Sequence, residues 1–433
     1  MRRNVSFTAC GDFLAARKLP ETYDGFAEVR DFIARGDARY FNFEMVLADN
    51  TCWGNQYYGG AYVRAAASVL ESIKSFGFNA ATFANNHSMD FGYEGLLQTL
   101  DHLKNAGLPV SGAGRNLDEA AAPAFLETPR GSFGVIGVVS TMMNPAAMAG
   151  RQSRRVPGRP GVNGLRVSDS VVVTPEEFDV LDRIIRKSKM NGQWDISRAE
   201  GFRPPLPEGT LNFRETTVEK GEETRYVTHP NEKDMQRIER NIISARSQCD
   251  CVFVTMHSHE VGLDDKELPA DFYIEFAHRC IDAGASAVIG HGPHILRRVE
   301  MYKGRPIFYC LGNFVFQEEA QESYPEDMYE KYGVTSDTTI EELALLRTDH
   351  HRRGLLMNPK VLEAVIPYVE LENDEVKKIE LYPVSLGAEL EYWQMGLPRP
   401  GFGRGILERL NALSVPYGTE IRIRKDGIGE IVL

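Results

Sequence analysis

The sequence has no surplus of basic residues, and it is poor in cysteine and in long apolar runs. Its 433 residues include 49 Lys and Arg against 61 Asp and Glu, so the formal net charge is −12. A general nucleic-acid binder presents a basic face to the phosphate backbone, and this chain has no overall charge of that sign. We therefore expect no nucleic-acid partner.

The six cysteines show no paired spacing of the kind that marks a disulfide framework. Cys249 and Cys251 are too close together for a redox or zinc pair, and they adjoin an apolar run. We interpret the cysteines as buried, reduced thiols. This interpretation predicts a cytoplasmic protein.

No apolar run is long enough to cross a membrane. Near the N-terminus, two arginines precede residues 4–9, in which Asn4, Ser6 and Thr8 alternate with apolar residues. Such alternation is typical of a β-strand. We expect a first strand here, with neither a signal peptide nor a membrane span.

Strand and helix patterns alternate over the first 145 residues and again from about residue 232, which predicts an α/β fold. We divide the chain into a core of residues 1–149 and 246–320, an insertion or lid of residues 150–245, and an extension of residues 321–433. The insertion is rich in Arg, Pro, Gly and Glu and shows one helical pattern, over residues 175–187. Turns at residues 373–374 and 426–427 predict antiparallel hairpins in the extension.

Five apolar runs each lead into residues that commonly bind metals. The polar residues that follow these runs are Asp12; Glu44; Asn85, Asn86 and His87; His257 and His259; His291 and His294. Polar groups at the carboxyl ends of parallel strands meet at one edge of a sheet. We therefore expect these side chains to form a single site.

Imidazole, carboxylate and amide ligands together are typical of hard or borderline divalent cations, so Mn, Fe, Zn, Mg and Ca all remain open. No cysteine is placed to form a structural zinc site. The ligands suffice for two divalent metal ions with open coordination positions. That arrangement is used in metal-assisted hydrolysis.

Several longer strings carry a resemblance to a known family: GDF, NFE, FANNHSMDFGYEGLLQTLDHLKNAGLPVSGAG, MHSHE and GHGPHILRRVEMYKGRPIFYCLGNFVF. They resemble the CapA-type capsule-synthesis (poly-gamma-glutamate) family, which is similar to the calcineurin-like metallophosphoesterases. The resemblance covers residues 5–145 and 245–318. It implies a four-layer α/β/β/α sandwich.

The resemblance also implies a role for each matching residue. The implied metal ligands are Asp12, Glu44, Asn86, His257, His291 and His294. Asp12 and His294 would hold the first ion, and Glu44 would bridge both ions. Phosphoesterases carry Asp-x-His at the first strand, whereas Leu14 stands at the histidine position here. The first ion therefore lacks a ligand unless His259 or water replaces it.

His87 matches the histidine that protonates the leaving group in phosphoesterases, and Asp12 and His294 are further catalytic candidates. The residues expected to orient the site are Asn85, Asp90, His259 and Asn313. The expected substrate-binding residues are Arg297, Tyr57 and Tyr62. We expect a small anionic molecule or a peptide as the substrate.

Three functions remain open. The first is a dinuclear-metal hydrolase that acts on an anionic ester. The second is a metal-dependent peptide epimerase in ribosomal peptide natural-product biosynthesis, in which a side chain removes a Cα proton. The third is a non-catalytic partner in poly-gamma-glutamate or capsule assembly. The oligomeric state is also open.

Overall fold

The structure is a computed structural model that describes residues 4–317 and 324–433. Within these ranges the protein has a mixed α/β fold, as predicted. The strands, numbered along the chain, are β1 (Asn4–Ala15), β2 (Ala38–Phe43), β3 (Val46–Leu47), β4 (Arg64–Ala65), β5 (Ala80–Thr82), β6 (Val110–Ser111), β7 (Ala113–Gly114), β8 (Ala124–Glu127), β9 (Ser132–Val139), β10 (Gly161–Val162), β11 (Val167–Val173), β12 (Leu211–Phe213), β13 (Thr216–Lys220), β14 (Arg225–Pro230), β15 (Cys251–His257), β16 (Val261–Gly262), β17 (Asp265–Pro269), β18 (Ala287–His291), β19 (Leu296–Tyr302), β20 (Arg305–Leu311), β21 (Asn313–Gln317), β22 (Glu363–Glu372), β23 (Glu375–Ser385), β24 (Arg399–Pro400), β25 (Ile421–Ile423) and β26 (Gly429–Ile431).

The helices are α1 (Phe26–Ile33), α2 (Val69–Ser75), α3 (Gly92–Asn105), α4 (Leu117–Ala121), α5 (Pro175–Ser188), α6 (Gly192–Ala199), α7 (Glu232–Arg246), α8 (Asp271–Asp282), α9 (Glu326–Lys331), α10 (Ile340–Arg347) and α11 (Ile406–Ser414). None of the helices in the described ranges combines the length and the apolar character needed to cross a bilayer.

A large mixed sheet has the strand order β25-β26-β23-β22-β1-β2-β5-β6, with β21 also paired to β1 and β24 to β23. The pairs β1–β2, β2–β5, β5–β6 and β1–β21 are parallel. The C-terminal strands join this sheet through the antiparallel pairing of β22 with the first half of β1. The antiparallel hairpins predicted in the extension are observed as β22–β23 and β25–β26.

A second mixed sheet has the order β19-β20-β18-β15-β9-β8. Its central strands β9, β15, β18 and β20 are parallel, and β8 and β19 close the edges in antiparallel orientation. Strands β9, β15 and β18 are buried along their whole length, because both faces of the sheet are covered.

The two sheets share one apolar core. Phe7 and Tyr40 from the large sheet contact Phe253 of β15, with ring centroids 5.3 and 5.5 Å apart. Ile406 and Leu410 of α11 belong to the same buried cluster. This core holds the carboxyl ends of both sets of parallel strands in fixed relative positions.

Helices cover the outer faces of both sheets. The apolar faces of α7 and α8 pack on β9, β15 and β18, with Ile238 and Phe276 among their fully buried residues. Helices α1, α2 and α3 pack on the large sheet through residues such as Val29 and Leu96. Each helix therefore buries one stripe of apolar side chains against a strand surface.

Residues 150–245 contain more regular structure than the sequence pattern predicts. Helix α5 is observed, and it begins with a capping box between Thr174 and Glu177. The four-stranded sheet β12-β13-β11-β14 was not predicted. Its strands are short and carry polar residues on both faces, so they show weak alternation, and they surround a small core that includes Val173 and Leu211.

The six cysteines are all free thiols, and five of them are buried. This agrees with the interpretation of reduced, packed side chains. Burial raises the pKa of Cys251 to about 12, which keeps its thiol protonated at neutral pH. The cytoplasmic location stays a prediction.

Candidate functional site

The five polar clusters predicted from the sequence lie at the carboxyl ends of parallel strands in the two facing sheets. Asp12 follows a register shift in the last third of β1, and Glu44 is the first residue after β2. Residues 85–87 follow β5 by a short loop. His257 and His291 end neighbouring strands and stand in register with each other.

Asp12, Glu44 and His294 form one group of potential metal ligands. One ligand atom from each of the three lies within 4.8 Å of the other two, and all three side chains are buried. His294 Nδ1 is 3.6 Å from Asp12 Oδ2, and His294 Nε2 is 4.0 Å from Glu44 Oε1. These are the three residues that the resemblance assigns to the first ion and the bridge.

Glu44 also belongs to a second group, with His257 and His259. His257 Nε2 is 3.5 Å from Glu44 Oε1 and 3.2 Å from His259 Nε2. The amide oxygen of Asn86 is 2.7 Å from the same His257 nitrogen. His259 therefore joins this group directly, whereas we expected it only to orient the site or to replace the missing ligand of the first ion.

Burial sets the protonation of both groups. It raises the pKa of Asp12 to about 7, even though hydrogen bonds from Asn42 and Gly292 lower it. Burial and the neighbouring imidazoles lower the pKa of His257 and His259 far below the ordinary value. These two histidines are therefore neutral at pH 7, and neutral imidazole is the form that binds metals.

Asn42 begins the NFE string, but it was not among the predicted site residues, because it lies inside the apolar run of β2. Its side-chain amide donates to Asp12 Oδ1 at 2.8 Å and lies 3.2 Å from His257 Nδ1. Asn42 and Asp12 are also register partners in the β1–β2 ladder. Its place beside Asp12 follows from that pairing, which a single sequence does not reveal.

A rigid turn after β18 presents His294 to the site. Gly292 has φ +114°, and a Cβ atom there would lie 2.9 Å from the backbone nitrogen of Ser258, so only glycine is accommodated. The Gly292 N–H donates to Asp12 Oδ2 at 3.1 Å. His294 itself has φ +58°, an uncommon conformation for a residue with a side chain, and its Nδ1 is 2.8 Å from Asn313 Oδ1.

His87 is held by residues that the resemblance assigned to orienting roles. Its Nδ1 is 2.7 Å from Asp90 Oδ2, and its backbone N–H donates to Asn85 Oδ1 at 3.1 Å. Asp90 is fully buried and also accepts the N–H groups of Gly59 and Val63. Asp90 therefore ties the His87 ring to the segment that precedes β4.

His291 does not join either group of potential ligands. It is fully buried, and it packs on the ring of Tyr40 with centroids 5.5 Å apart. Burial lowers its pKa to about 3, so its imidazole is neutral at pH 7. Neither of its ring nitrogens has a hydrogen-bond partner within the described residues, so the ring is available for the ligand role that the resemblance implies, and that role stays a prediction.

Two of the expected substrate-binding residues are also buried. The Arg297 guanidinium has no exposed surface and donates to the carbonyl oxygens of Lys266 and Glu260 at 3.0 and 2.9 Å. Tyr62 is likewise fully buried and donates its hydroxyl to the Asn55 carbonyl. Neither presents side-chain surface to a ligand. Tyr57 is 54% exposed, as a contact residue would be.

Two cavities meet at Asn86. The first, which we call the histidine cavity, has a volume of about 320 Å³ and is lined in part by His87, His259 and His294. The second, the aromatic cavity, has a volume of about 430 Å³ and is lined in part by Trp53 and Tyr57. Leu14, which stands where phosphoesterases carry histidine, is part of the wall of the histidine cavity.

With this geometry established, comparison with known proteins gives a clear family assignment. The sequence profile described as "Bacterial capsule synthesis protein PGA_cap" matches residues 6–318. The chain belongs to this family. The match confirms the resemblance to CapA-type proteins, and it spans every cluster of the candidate site.

Relatives of this capsule synthesis family member include two proteins of Sinorhizobium fredii, both named uncharacterized. Each is 34% identical over 99% of this chain and 93% of its own length. The capsule biosynthesis protein CapA of Bacillus anthracis is 23% identical over 72% of this chain and 60% of its own length. A probable polyglutamine synthesis accessory protein of Mycobacterium tuberculosis is 25% identical over 62% of this chain and 54% of its own length.

Among solved structures, a hypothetical protein from Thermus thermophilus aligns with 88% of this chain and 98% of its own. The sequence identity is 12% and the TM-score is 0.39. A similarity at this level does not identify a fold.

Proposed function

We propose that this member of the capsule synthesis family is a metal-dependent hydrolase that acts on an anionic ester and uses two divalent cations. The observation that carries the proposal is the position of Glu44, which belongs to both groups of potential ligands. A carboxylate shared by two groups is what a two-ion site requires.

The donor set suits such cations. Asp12, Glu44 and His294 would hold one ion, and Glu44 would hold the other together with His257, His259 and the amide oxygen of Asn86. Carboxylate, imidazole and amide groups bind borderline and hard cations. Bound divalent cations would supply Lewis acidity and a water of lowered pKa.

The chain's own residues would supply positioning and proton transfer. Asp90 holds His87 at Nδ1, so His87 would give a proton to the leaving group from Nε2. Asn42 and Asn313 fix Asp12 and His294, respectively, so that these side chains need not reorganise when the substrate binds.

The fold belongs to the same proposal. Two sheets that share a core and carry helices on their outer faces support the four-layer α/β/β/α arrangement. Residues 150–245 would be an insertion or lid. Their small separate core supports that division.

The test is turnover by the full-length protein. The purified chain would be loaded with Mn²⁺, Zn²⁺ or Mg²⁺ and incubated with bis(4-nitrophenyl) phosphate. We expect release of 4-nitrophenolate with at least one metal, and a large loss of rate in a Glu44→Gln variant. Absence of turnover with every metal, on this diester and on a panel of anionic esters, would count against the hydrolase.

The aromatic cavity favours a second candidate, a metal-dependent peptide epimerase. Trp53 and Tyr57 are 86% and 54% exposed, and they line a cavity that also includes Asn85 and Asn86. Such a wall would accept an apolar peptide side chain beside the ligand groups. Deuterium uptake at Cα of candidate peptides in heavy water, measured by mass spectrometry, tests this function. A peptide panel without exchange would argue against it.

The names of the relatives favour a third candidate, a non-catalytic partner in capsule or poly-gamma-glutamate assembly. Their names include capsule biosynthesis protein and synthesis accessory protein. A His87→Ala variant that fully replaces the native chain in the cell would support this role. Loss of cellular function with normal protein abundance would support an enzyme.

A further inference from the structure

The histidine cavity has two cationic residues in its wall that the proposed chemistry does not use. Lys266 comes from β17, and Arg347 is the last residue of α10. They come from chain segments that are distant in sequence, and both line the space that His87, His259 and His294 also face.

The described residues that line this cavity carry charge of the opposite sign to the whole protein. The chain has a net charge of −12, yet the described residues that line the cavity include Lys266 and Arg347 and no aspartate or glutamate. Histidines and apolar or small polar residues make up most of the remaining wall. A cavity of this composition attracts an anion and repels a cation.

The Lys266 ammonium group forms no ion pair within residues 4–317 and 324–433. Its neighbour Glu267 is paired instead with Lys360 at 2.7 Å and with Arg409 at 2.6 Å. Successive residues of a strand point to opposite sides, so Glu267 is directed away from the cavity that Lys266 faces. Burial lowers the pKa of Lys266, an effect that a bound anion would oppose.

Arg347 contacts the side chain of Tyr324. Its Nη1 donates to the hydroxyl of Tyr324 at 3.1 Å, and its guanidinium lies over the Tyr324 ring at 5.8 Å from the centroid. A guanidinium carries five N–H donors in a planar fork, so it can make several contacts at once. The geometry of this fork suits a carboxylate or a phosphate.

We infer that Lys266 and Arg347 bind a second anionic group of the substrate, a carboxylate or a phosphate, in the histidine cavity. The substrate is then a molecule with at least two anionic centres, one at the reacting bond and one at this pair. The anionic centre at the reacting bond rests on the proposed function, whereas the binding of an anion by Lys266 and Arg347 does not. Lys266 and Arg347 take the role expected of Arg297, whose guanidinium is buried against the backbone carbonyls of Lys266 and Glu260.

The first experiment measures binding without turnover. Full-length protein loaded with Mn²⁺ is titrated with glutarate and, separately, with inorganic phosphate in a calorimeter. We expect Lys266→Gln and Arg347→Gln each to weaken binding of at least one probe by about tenfold or more. Lys360→Gln is the matched control, because its ammonium belongs to the Glu267 ion pair, and it should leave affinity unchanged.

The probes distinguish the two anion chemistries, since a loss confined to glutarate indicates a carboxylate and a loss confined to phosphate indicates a phosphate. Metal content of each variant is measured alongside. Unchanged affinity for both probes in both variants would overturn the inference, as would failure of the native protein to bind either probe. Loss of metal in Lys266→Gln would also overturn it, because the residue would then act through the metal groups.

The second experiment uses turnover. Lys266→Gln should raise KM for a diester that carries an additional carboxylate several-fold more than it raises KM for bis(4-nitrophenyl) phosphate, with little change in kcat for the first substrate. An equal rise in KM for both substrates would contradict the inference. If no substrate turns over while glutarate or phosphate binding depends on Lys266, the hydrolase proposal fails and the anion site stands.

Discussion

Two buried carboxylate clusters in the large sheet have opposite electrostatic environments. Glu380 of β23 is buried and is paired with three cations, Arg35, Arg424 and Lys378, the last at 2.9 Å. Asp12 of β1 is buried to the same degree, but the basic groups nearest to it are the imidazoles of His257 and His294, at 3.8 and 3.6 Å. Burial tends to raise the pKa of both carboxyls, and the neighbouring charges decide whether the final pKa lies above or below the ordinary value.

At Glu380 the cations prevail over burial and lower the pKa to about 2. At Asp12 burial prevails, and the pKa rises to about 7. Buried carboxylates are normally compensated by protein cations or by metals. The comparison indicates that protein cations compensate the charge of Glu380, whereas the Asp12 cluster is suited to compensation by cations from solution.

The largest expected effect is the loss of metal-dependent stability in Glu44→Gln. Mn²⁺ at about a thousand times its dissociation constant should stabilise the native chain by roughly 4 kcal/mol. The variant should lose most of that gain, because Glu44 is common to both ligand groups. Thermal denaturation with and without Mn²⁺ measures the difference. A variant that Mn²⁺ stabilises as much as it stabilises the native chain would contradict the account.

The next effect is on folding, at Glu380. Glu380→Gln should lower the free energy of unfolding at pH 7 by roughly 3 kcal/mol while leaving the Mn²⁺ response unchanged. The folded pKa lies below the ordinary value of 4.5, so this stability is fully present above pH 4.5 and is lost as pH falls toward 2. Urea denaturation should therefore show that the variant loses less unfolding free energy, relative to the native chain, at pH 3 than at pH 7. An equal loss of unfolding free energy at the two pH values would contradict the account.

A matched pair of histidine variants tests the ligand role that the family resemblance implies for His291. His257 and His291 are register partners, but only His257 belongs to a ligand group. His257→Gln should weaken binding of one ion by about tenfold or more, and the ligand role implied for His291 predicts a similar loss in His291→Gln. Metal titration by calorimetry measures both. Loss of an ion in His291→Gln would establish the implied ligand role.

The last expected effect is confined to catalysis and is at Asp90, which contacts His87 and belongs to neither ligand group. Asp90→Asn should lower kcat by about 10- to 100-fold, because the His87 ring loses the acceptor that orients it. Metal content should stay at the native level, and mass spectrometry of the purified variant checks this. A variant with native kcat would show that the orientation of His87 is unimportant for the reaction.

The sequence predicted best where chemistry and periodicity coincide. The change from an apolar run to His, Asp or Glu marked the strand ends, and the structure places Asp12, Glu44, His257 and His294 close together. The helices that cover the second sheet were equally clear, since their apolar residues repeat with helical spacing. These features depend on local pattern.

What sequence did not predict depends on pairing and orientation. Asn42 reaches Asp12 through the β1–β2 register, and Lys266 faces the cavity because Glu267 is turned to the other side of β17. Arg297 is basic and near the site in sequence, yet its strand directs it into the interior. The faces of these strands are set by contacts between distant segments, which local periodicity does not encode.

The central claim is that Asp12, Glu44, His257 and His294 bind shared divalent cations. The most direct test is a crystal structure of the full-length chain grown with Mn²⁺, with anomalous scattering used to locate manganese. The account predicts two anomalous peaks, one among Asp12, Glu44 and His294 and the other beside Glu44 and His257. A map without a peak at Glu44, from crystals in which Mn²⁺ is present in excess, would contradict it.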